Sequence, residues 1–241
     1  MVYLGILSPY QGVDHLLEAV PLVLDRVPEA YFLLMGYPDE ERYRQKARDL
    51  GLEGHVAFPG RVDYDRAAHY LSLGEVAVGP KLSETESNGK LYNYMACALP
   101  TVAFDTPPSR EILGDLGVYA PAGDVQALAE AIAGLLQDPE GARALGQRLR
   151  RRVIECFSWE NTARQLLKAY ARAGAGGKNA CASGRAGGFH VPAKAEGPVR
   201  AYHGCHAFVL CLCASRRPVS GDGIGVSGRR HRPCRGHRDG L

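Results

Sequence analysis

Short apolar runs alternate along residues 1–173 with segments in which apolar residues recur every three or four positions. The apolar runs predict six buried strands, at residues 2–7, 31–35, 55–58, 75–78, 100–104 and 117–119. Residues 12–24 show the clearest helical period. Further helices are predicted to begin near positions 38, 63, 89, 109, 124 and 139, and after Ser158, which suits an N-cap.

This alternation, at about 20–25 residues per unit, predicts an α/β fold, a Rossmann-like doubly wound parallel sheet of about six strands. The strands are apolar throughout, as expected when helices cover both faces of the sheet. Such sheets bind ligands beyond the carboxyl ends of their strands. The loops of interest are therefore residues 8–12, 36–39, 59–63, 80–90 and 105–109.

The fourth of these loops carries the strongest candidate chemistry. Asn88 and Gly89 precede a predicted helix whose first amides favour an anion, and Lys90 adds a positive charge. Glu86 and Asn93 are able to hydrogen-bond sugar hydroxyls. An ordinary capped helix with solvated charges is the alternative interpretation.

The charge distribution divides the chain near residue 173. The chain has 29 Lys and Arg residues and 26 Asp and Glu residues. Residues 174–241 contain 11 of the basic and 3 of the acidic residues, so residues 1–173 contain 18 basic and 23 acidic residues. The net charge of +3 is therefore −5 for one part and +8 for the other. We predict one domain over residues 1–173, followed by an irregular basic tail over residues 174–241.

The tail holds five of the seven Cys and five of the eight His without a sustained period. We interpret it as an out-of-frame reading of GC-rich DNA, with a disordered basic tail and a metal site around residues 203–213 as alternatives. The basic run at 229–232 is typical of solvated charge, so no nucleic-acid partner is expected.

No apolar run approaches the length of a membrane span and no signal peptide is visible, which favours the cytoplasm.

Several residues invite a metal or redox interpretation. Asp63 and Asp65 form an Asp-x-Asp pair, but their position favours the cap and first turn of a helix over a metal site. Cys97 and Cys156 are predicted to be buried thiols, and Trp159 to be a packing anchor for the last helix. We expect no metal and no cofactor.

Four motifs in order along the body resemble the C-terminal, donor-binding half of a family 4 glycosyltransferase of the two-domain GT-B architecture. They are Gly5-Ile6-Leu7 with Gln11-Gly12, Phe58-Pro59-Gly60-Arg61-Val62, Asn93-Tyr94-Met95-Ala96 through Pro100, and Phe157-Ser158-Trp159-Glu160. The resemblance implies retaining transfer of a sugar from a nucleoside diphosphate sugar to an acceptor, carbohydrate or lipid-linked. A receiver-like module, the remaining alternative of this fold class, requires acids after the first strand, and residues 4–8 have none.

The chain departs from the family pattern where the donor diphosphate is held. Ile6 and Gln11 replace an Arg and a Lys, and Asn93 replaces the second Glu of a paired-acid motif whose first Glu falls at Thr85. Lys90 is expected to supply the missing charge, because a cation stabilises the leaving diphosphate. The candidate catalytic residues are Glu86 and Lys90. The candidate donor-binding residues are Gly5, Gln11, Gly12, Gly60, Arg61, Glu84, Asn88, Gly89, Leu91 and Asn93.

The resemblance also implies an N-terminal domain that binds the acceptor. Met1 directly precedes the first strand, so we expect that domain not to be part of this sequence. We expect a truncated or split enzyme, with a separate chain as the source of that domain. The alternative is a catalytically inactive nucleotide-binding remnant or subunit. The expected location is cytoplasmic, peripheral to the inner face of the membrane.

Overall fold

The computed structural model describes residues 1–177, with side chains through residue 173. The strands are β1 (Val2–Leu4), β2 (Phe32–Met35), β3 (Val56–Gly60), β4 (Ala77–Gly79), β5 (Thr101–Phe104) and β6 (Val118–Ala120). The helices are α1 (Val13–Leu24), α2 (Glu40–Asp49), α3 (Ala67–Leu71), α4 (Lys90–Ala96), α5 (Pro107–Leu113), α6 (Val125–Gln137), α7 (Pro139–Phe157) and α8 (Trp159–Gly177). The interpretations of the tail beyond residue 177 lie outside the described residues.

All six strands belong to one parallel sheet, in the order β3-β2-β1-β4-β5-β6. The chain enters the sheet at the central strand β1 and continues through β2 to β3 at one edge. It then returns to the other side of β1 and continues from β4 through β5 to β6. This reversal places a topological switch point between β1 and β4, where open α/β sheets bind their ligands. The predicted Rossmann-like fold is confirmed.

Successive strand residues point to opposite faces of the sheet, and each face has its own hydrophobic core. In β5, for example, Val102 and Phe104 pack on one face and Ala103 packs on the other. Helices α1, α2 and α6 cover the first face, and α3, α4, α5 and α7 cover the second. Burial on both faces explains why the strands are apolar throughout.

Strands β1 and β4 are in register only at Val2 and Ala77, near their amino ends, and the ladder does not continue beyond this pair. The hydroxyl of Tyr94, on the fully buried face of α4, lies between the two strands. It accepts a hydrogen bond from the Leu4 N–H at 2.9 Å and lies 3.3 Å from the carbonyl oxygens of Leu4 and Val78. Tyr94 therefore joins the two strands where the backbone ladder between them ends.

We expect Tyr94→Phe to lower the free energy of unfolding by about 1–3 kcal/mol, because the variant leaves the buried Leu4 N–H without its acceptor. Urea unfolding followed by circular dichroism measures the change. Tyr31→Phe is the control, since that side chain is 50% exposed at the start of β2. Equal stability of the two variants would contradict a role for Tyr94 in joining the strands.

Two sequence predictions about side-chain burial are wrong, and a third, about a helix cap, is confirmed. Trp159 is 57% exposed, so it anchors no packing within the described residues. Cys156 is exposed and Cys97 is only partly buried, because both lie at the margins of the helix packing. Ser158 does cap α8, since its Oγ accepts a hydrogen bond from the Asn161 N–H at 3.3 Å. Within residues 1–177, no helix combines the length and the apolar character needed to cross a membrane.

Candidate active site

A cleft of about 300 Å³ opens at the carboxyl ends of β1 and β4. The loops after β1, β3 and β4 surround it, together with the first turn of α4. Its lining comprises Leu4, Gly5, Ile6, Gln11, Val62, Tyr64, Ala67, Lys81, Ser87, Asn88, Gly89, Lys90 and Asn93. Six of the predicted site residues therefore meet in one place, although they are up to 88 positions apart: Gly5, Gln11, Asn88, Gly89, Lys90 and Asn93.

Lys90 crosses from the start of α4 to the loop after β1. Its ammonium donates a hydrogen bond to Oε1 of the buried Gln11 and lies 5.0 Å from the centre of the Tyr3 ring. A Cβ at Gly5 would lie 2.8 Å from Cε of Lys90, so a side chain there would force the lysine to shift. Gln11 thus holds the lysine, and the absence of a side chain at position 5 gives the lysine its path.

The Lys90 ammonium has no carboxylate partner in this cleft among the described residues. Burial, and to a lesser degree the nearby positive charge of Lys81, lowers the pKa of Lys90 to about 7. A bound anion would reverse this effect by favouring the charged form. The side chain is therefore suited to gain a proton when an anion enters the cleft.

Lys81 is a second cation in the cleft, and no pattern in the sequence singled it out. It follows β4 by two residues and is only 6% exposed. Its ammonium donates to the carbonyl oxygen of Ser87 at 3.2 Å and pairs with Oε2 of Glu86 at 2.8 Å. The hydrogen bond from Lys81 lowers the pKa of the Glu86 carboxyl. The predicted catalytic Glu86 is therefore paired with a lysine at the edge of the cleft.

Two amide side chains present unpaired acceptors in the same region. Asn88 is 2% exposed and donates from Nδ2 to the carbonyl oxygen of Gly79 at 3.0 Å. Its Oδ1, and Oδ1 of Asn93, are buried and have no hydrogen-bond partner among the described residues. Because an unsatisfied buried acceptor is costly, both positions suit a ligand that brings hydroxyl or N–H donors.

The start of α4 offers fewer free amides than an ideal helix N-terminus. The N–H groups of Leu91 and Tyr92 already donate to the carbonyl oxygens of Asn88 and Gly89, at 3.0 and 3.3 Å. The Leu91 side chain is fully buried in the core on the α4 face of the sheet. The lysine side chains, more than the backbone amides of α4, are therefore the groups available to an anion in this cleft.

Five predicted donor-binding residues lie outside the cleft lining: Gly12, Gly60, Arg61, Glu84 and the core residue Leu91. Gly12 has a φ of +76°, and a Cβ there would lie 1.8 Å from the carbonyl oxygen of Pro80, so it lets the loops after β1 and β4 pack together. Arg61 stacks over the ring of Tyr37 at 5.0 Å, and Glu84 is exposed.

The described residues contain no group of three or more His, Cys, Asp or Glu side chains arranged to hold a metal ion. Asp63 and Asp65 are both exposed. Asp63 does precede a helical turn, Tyr64–Arg66, but its side chain makes no capping hydrogen bond.

Comparison with known sequences agrees with the resemblance to glycosyltransferases that the motifs indicated. A protein family described as "Glycosyl transferases group 1" matches residues 1–138. Phosphatidyl-myo-inositol mannosyltransferase of Mycolicibacterium smegmatis is 30% identical over 181 residues, covering 74% of this chain and 46% of the relative. MMP alpha-(1->4)-mannosyltransferase of Mycolicibacterium hassiacum is 33% identical over 170 residues, covering 68% and 41%. The chain spans about half the length of the curated relatives it matches.

Solved structures share the fold. Sucrose-phosphate synthase of Thermosynechococcus elongatus superposes with a TM-score of 0.64 at 28% identity, over 73% of this chain and 45% of that protein. HepE of Anabaena, solved with UDP and glucose, gives a TM-score of 0.63 at 20% identity, over 71% and 47%.

Proposed function

Because the chain belongs to the group 1 glycosyl transferases, with the Rossmann-like domain of the GT-B architecture, we propose that it binds the donor of a retaining glycosyl transfer. The donor is a nucleoside diphosphate sugar. One observation carries the proposal: two lysines from the β4–α4 region, Lys81 and Lys90, meet in the cleft at the switch point of the sheet. Two cations there match the two negative charges of a diphosphate that bridges a nucleoside and a sugar.

The unpaired amide oxygens support the same ligand. A ribose and a hexose both bring hydroxyl donors, and Oδ1 of Asn88 and Oδ1 of Asn93 are buried acceptors beside the lysines. In this assignment Asn93 holds a ribose hydroxyl, and the segment from Glu84 to Glu86 lies near the sugar. Gly60 and Arg61 lie toward the base.

In the transfer, the bond between the anomeric carbon and the diphosphate oxygen breaks, and its electron pair stays on the diphosphate. The acceptor oxygen bonds to the same face of the anomeric carbon, and its proton passes to the departing diphosphate oxygen. Charge grows on the leaving diphosphate, and the ammonium of Lys90 stabilises it in the transition state. We assign this role to the lysines without a metal ion, so a chelator should leave donor binding unchanged.

We propose that a separate acceptor-binding domain completes the enzyme. Several exposed apolar side chains share one face of α8: Trp159, Leu166, Leu167 and Tyr170. Their spacing of seven, eight and eleven positions after the first is typical of a helix face that packs against a partner. A catalytically inactive nucleotide-binding subunit is the alternative. We place the reaction in the cytoplasm, at the inner face of the membrane when the acceptor is lipid-linked.

The test has two stages. Calorimetric titration of the full chain with UDP-, GDP- and ADP-sugars, with and without EDTA, should detect binding of at least one donor. Transfer of radiolabelled sugar from that donor is then measured with and without an added acceptor domain of a relative, and the anomeric configuration of the product is read by NMR. Transfer with retention supports the enzyme, and binding without transfer under any condition supports the inactive subunit. No binding of any nucleotide sugar would overturn both.

A further inference from the structure

The ion pair between Lys81 and Glu86 joins two very differently buried side chains. The Lys81 side chain is 7% exposed, whereas the Glu86 side chain is 64% exposed. Around the ammonium, the carbonyl oxygen of Ser87 lies at 3.2 Å and the centre of the Tyr10 ring at 5.7 Å. The protein therefore fixes the lysine in place, and the carboxylate approaches it from the solvent side.

A buried cation is stabilised by an anion, whereas an exposed carboxylate can leave at little cost. Removing the partner of a buried charge is strongly unfavourable, and ion pairs of exposed groups contribute little. Besides the ion pair, the backbone N–H of Glu86 donates a hydrogen bond to Oγ of Ser83 at 3.0 Å, which leaves the carboxylate itself unaffected. Any anion that enters the cleft can thus replace the carboxylate without disturbing the core of the fold.

The cleft has the charge balance expected of such an exchange. Lys81 and Lys90 both line it, and they are close enough for the charge of Lys81 to act on Lys90. With Glu86 bound to Lys81, the three side chains carry at most one net positive charge. Without Glu86, two positive charges face the cleft, which equals the charge of the diphosphate in a nucleotide sugar.

We propose that Lys81 is a second diphosphate ligand and that Glu86 is its resident counter-ion, which the incoming diphosphate displaces. This inference rests on the proposed function of the cleft. The exchange couples two events, because it neutralises the diphosphate and releases the Glu86 carboxylate to the side of the cleft where the donor sugar lies. It also imposes competition, since the carboxylate lowers the affinity of the chain for its own donor.

The test is a double-mutant cycle on the full chain with UDP and GDP as probes, measured by calorimetry. Glu86→Gln removes the competing charge and should tighten binding of the preferred nucleotide about 3–10-fold. Lys81→Met should weaken binding at least about 10-fold. In the Lys81→Met background, Glu86→Gln should have no further effect, because the counter-ion then has no partner.

Matched controls change the same charges elsewhere. Glu53→Gln alters an exposed glutamate before β3, at the opposite edge of the sheet, and Lys168→Met alters an exposed lysine on α8. Both should bind like the wild type. If Lys81→Met fails to fold, Glu86→Gln still decides, because this side chain is exposed.

Three results would overturn the exchange. Affinity of Glu86→Gln equal to that of Glu53→Gln would mean that the carboxylate does not compete. Weaker binding by Glu86→Gln would mean that the carboxylate holds the nucleotide instead. If the wild type binds neither UDP nor GDP, the proposed function fails and the exchange fails with it, whereas binding with the wrong Glu86→Gln response overturns the exchange alone.

Discussion

Lys90→Met should weaken binding of the nucleotide sugar about 10–100-fold at pH 6.5. In the wild type the ammonium of Lys90 faces the cleft while held by Gln11, and a charge-assisted hydrogen bond to a diphosphate contributes about 1.5–3 kcal/mol. Methionine keeps much of the apolar stem and removes the charge. Calorimetry with the donor that binds the wild type most tightly measures the change, and Lys168→Met provides the matched loss of a distant lysine.

The same lysine should make binding depend on pH. The pKa of Lys90 lies at about 7 in the free protein, where burial and Lys81 disfavour the charged form. A bound diphosphate raises that pKa, so above pH 7 the lysine takes up a proton on binding and affinity falls as pH rises, by up to about 10-fold per unit. Below pH 7 the lysine is already protonated, and affinity should level off.

The diphosphate of a nucleotide sugar stays ionised between pH 6 and 8.5, so a slope in this range reports on the protein. The groups that surround the ammonium are Lys81, Gln11 and the Tyr3 ring, and of these only Lys81 carries a charge. Lys90→Met should therefore remove the slope. A pH-independent affinity in the wild type, or the same slope in the variant, would refute the assignment of Lys90.

Gly12→Ala should destabilise the fold by about 2–5 kcal/mol. The backbone of Gly12 has a φ of +76°, which costs another residue about 1–3 kcal/mol, and overpacking adds a similar amount. A Cβ would lie 1.8 Å from the carbonyl oxygen of Pro80, so the loops after β1 and β4 must separate. The change in the free energy of unfolding is measured with urea.

Gly51→Ala separates the cost of the backbone conformation from the cost of overpacking. Gly51 has a similar φ of +69°, but nothing lies within 4 Å of the position that its Cβ would take. This variant should lose only the conformational part, about 1 kcal/mol. Equal losses at both positions would show that the contact between Gly12 and Pro80 is not close in solution. Gly12→Ala should also weaken donor binding, because both loops line the cleft.

Local pattern was sufficient to predict the fold. The apolar runs marked all six strands, since a strand buried on both faces needs no polar positions. Strand ends were less certain, and the run that predicted a strand at 2–7 forms one only over Val2–Leu4. Beyond Leu4 the chain leaves the regular strand, although the N–H of Leu7 still donates to the carbonyl oxygen of Tyr37 at 3.1 Å and its side chain packs in the core.

Part of the candidate site was also visible in the sequence. Asn88, Gly89, Lys90 and Asn93 were found because the start of a helix after a strand is a recognisable position in an α/β fold. Trp159 is the opposite case. A large apolar side chain favours burial, but the sequence does not show which surface would bury it. Within the described residues its side chain remains 57% exposed.

The sequence by itself determined the order of the elements, the parallel sheet and the edge of that sheet where the cleft opens, because each depends on neighbouring residues. Only the tertiary structure identified Lys81 as part of the site and Tyr94 as the link between β1 and β4. Lys81 follows a strand like any solvated lysine, and its burial comes from packing that includes Tyr10, 71 positions earlier. The Tyr94 hydroxyl meets two strands that are distant along the chain. The burial of a side chain and the charges around it depend on contacts between segments that are distant in the sequence. A local sequence pattern does not show these contacts.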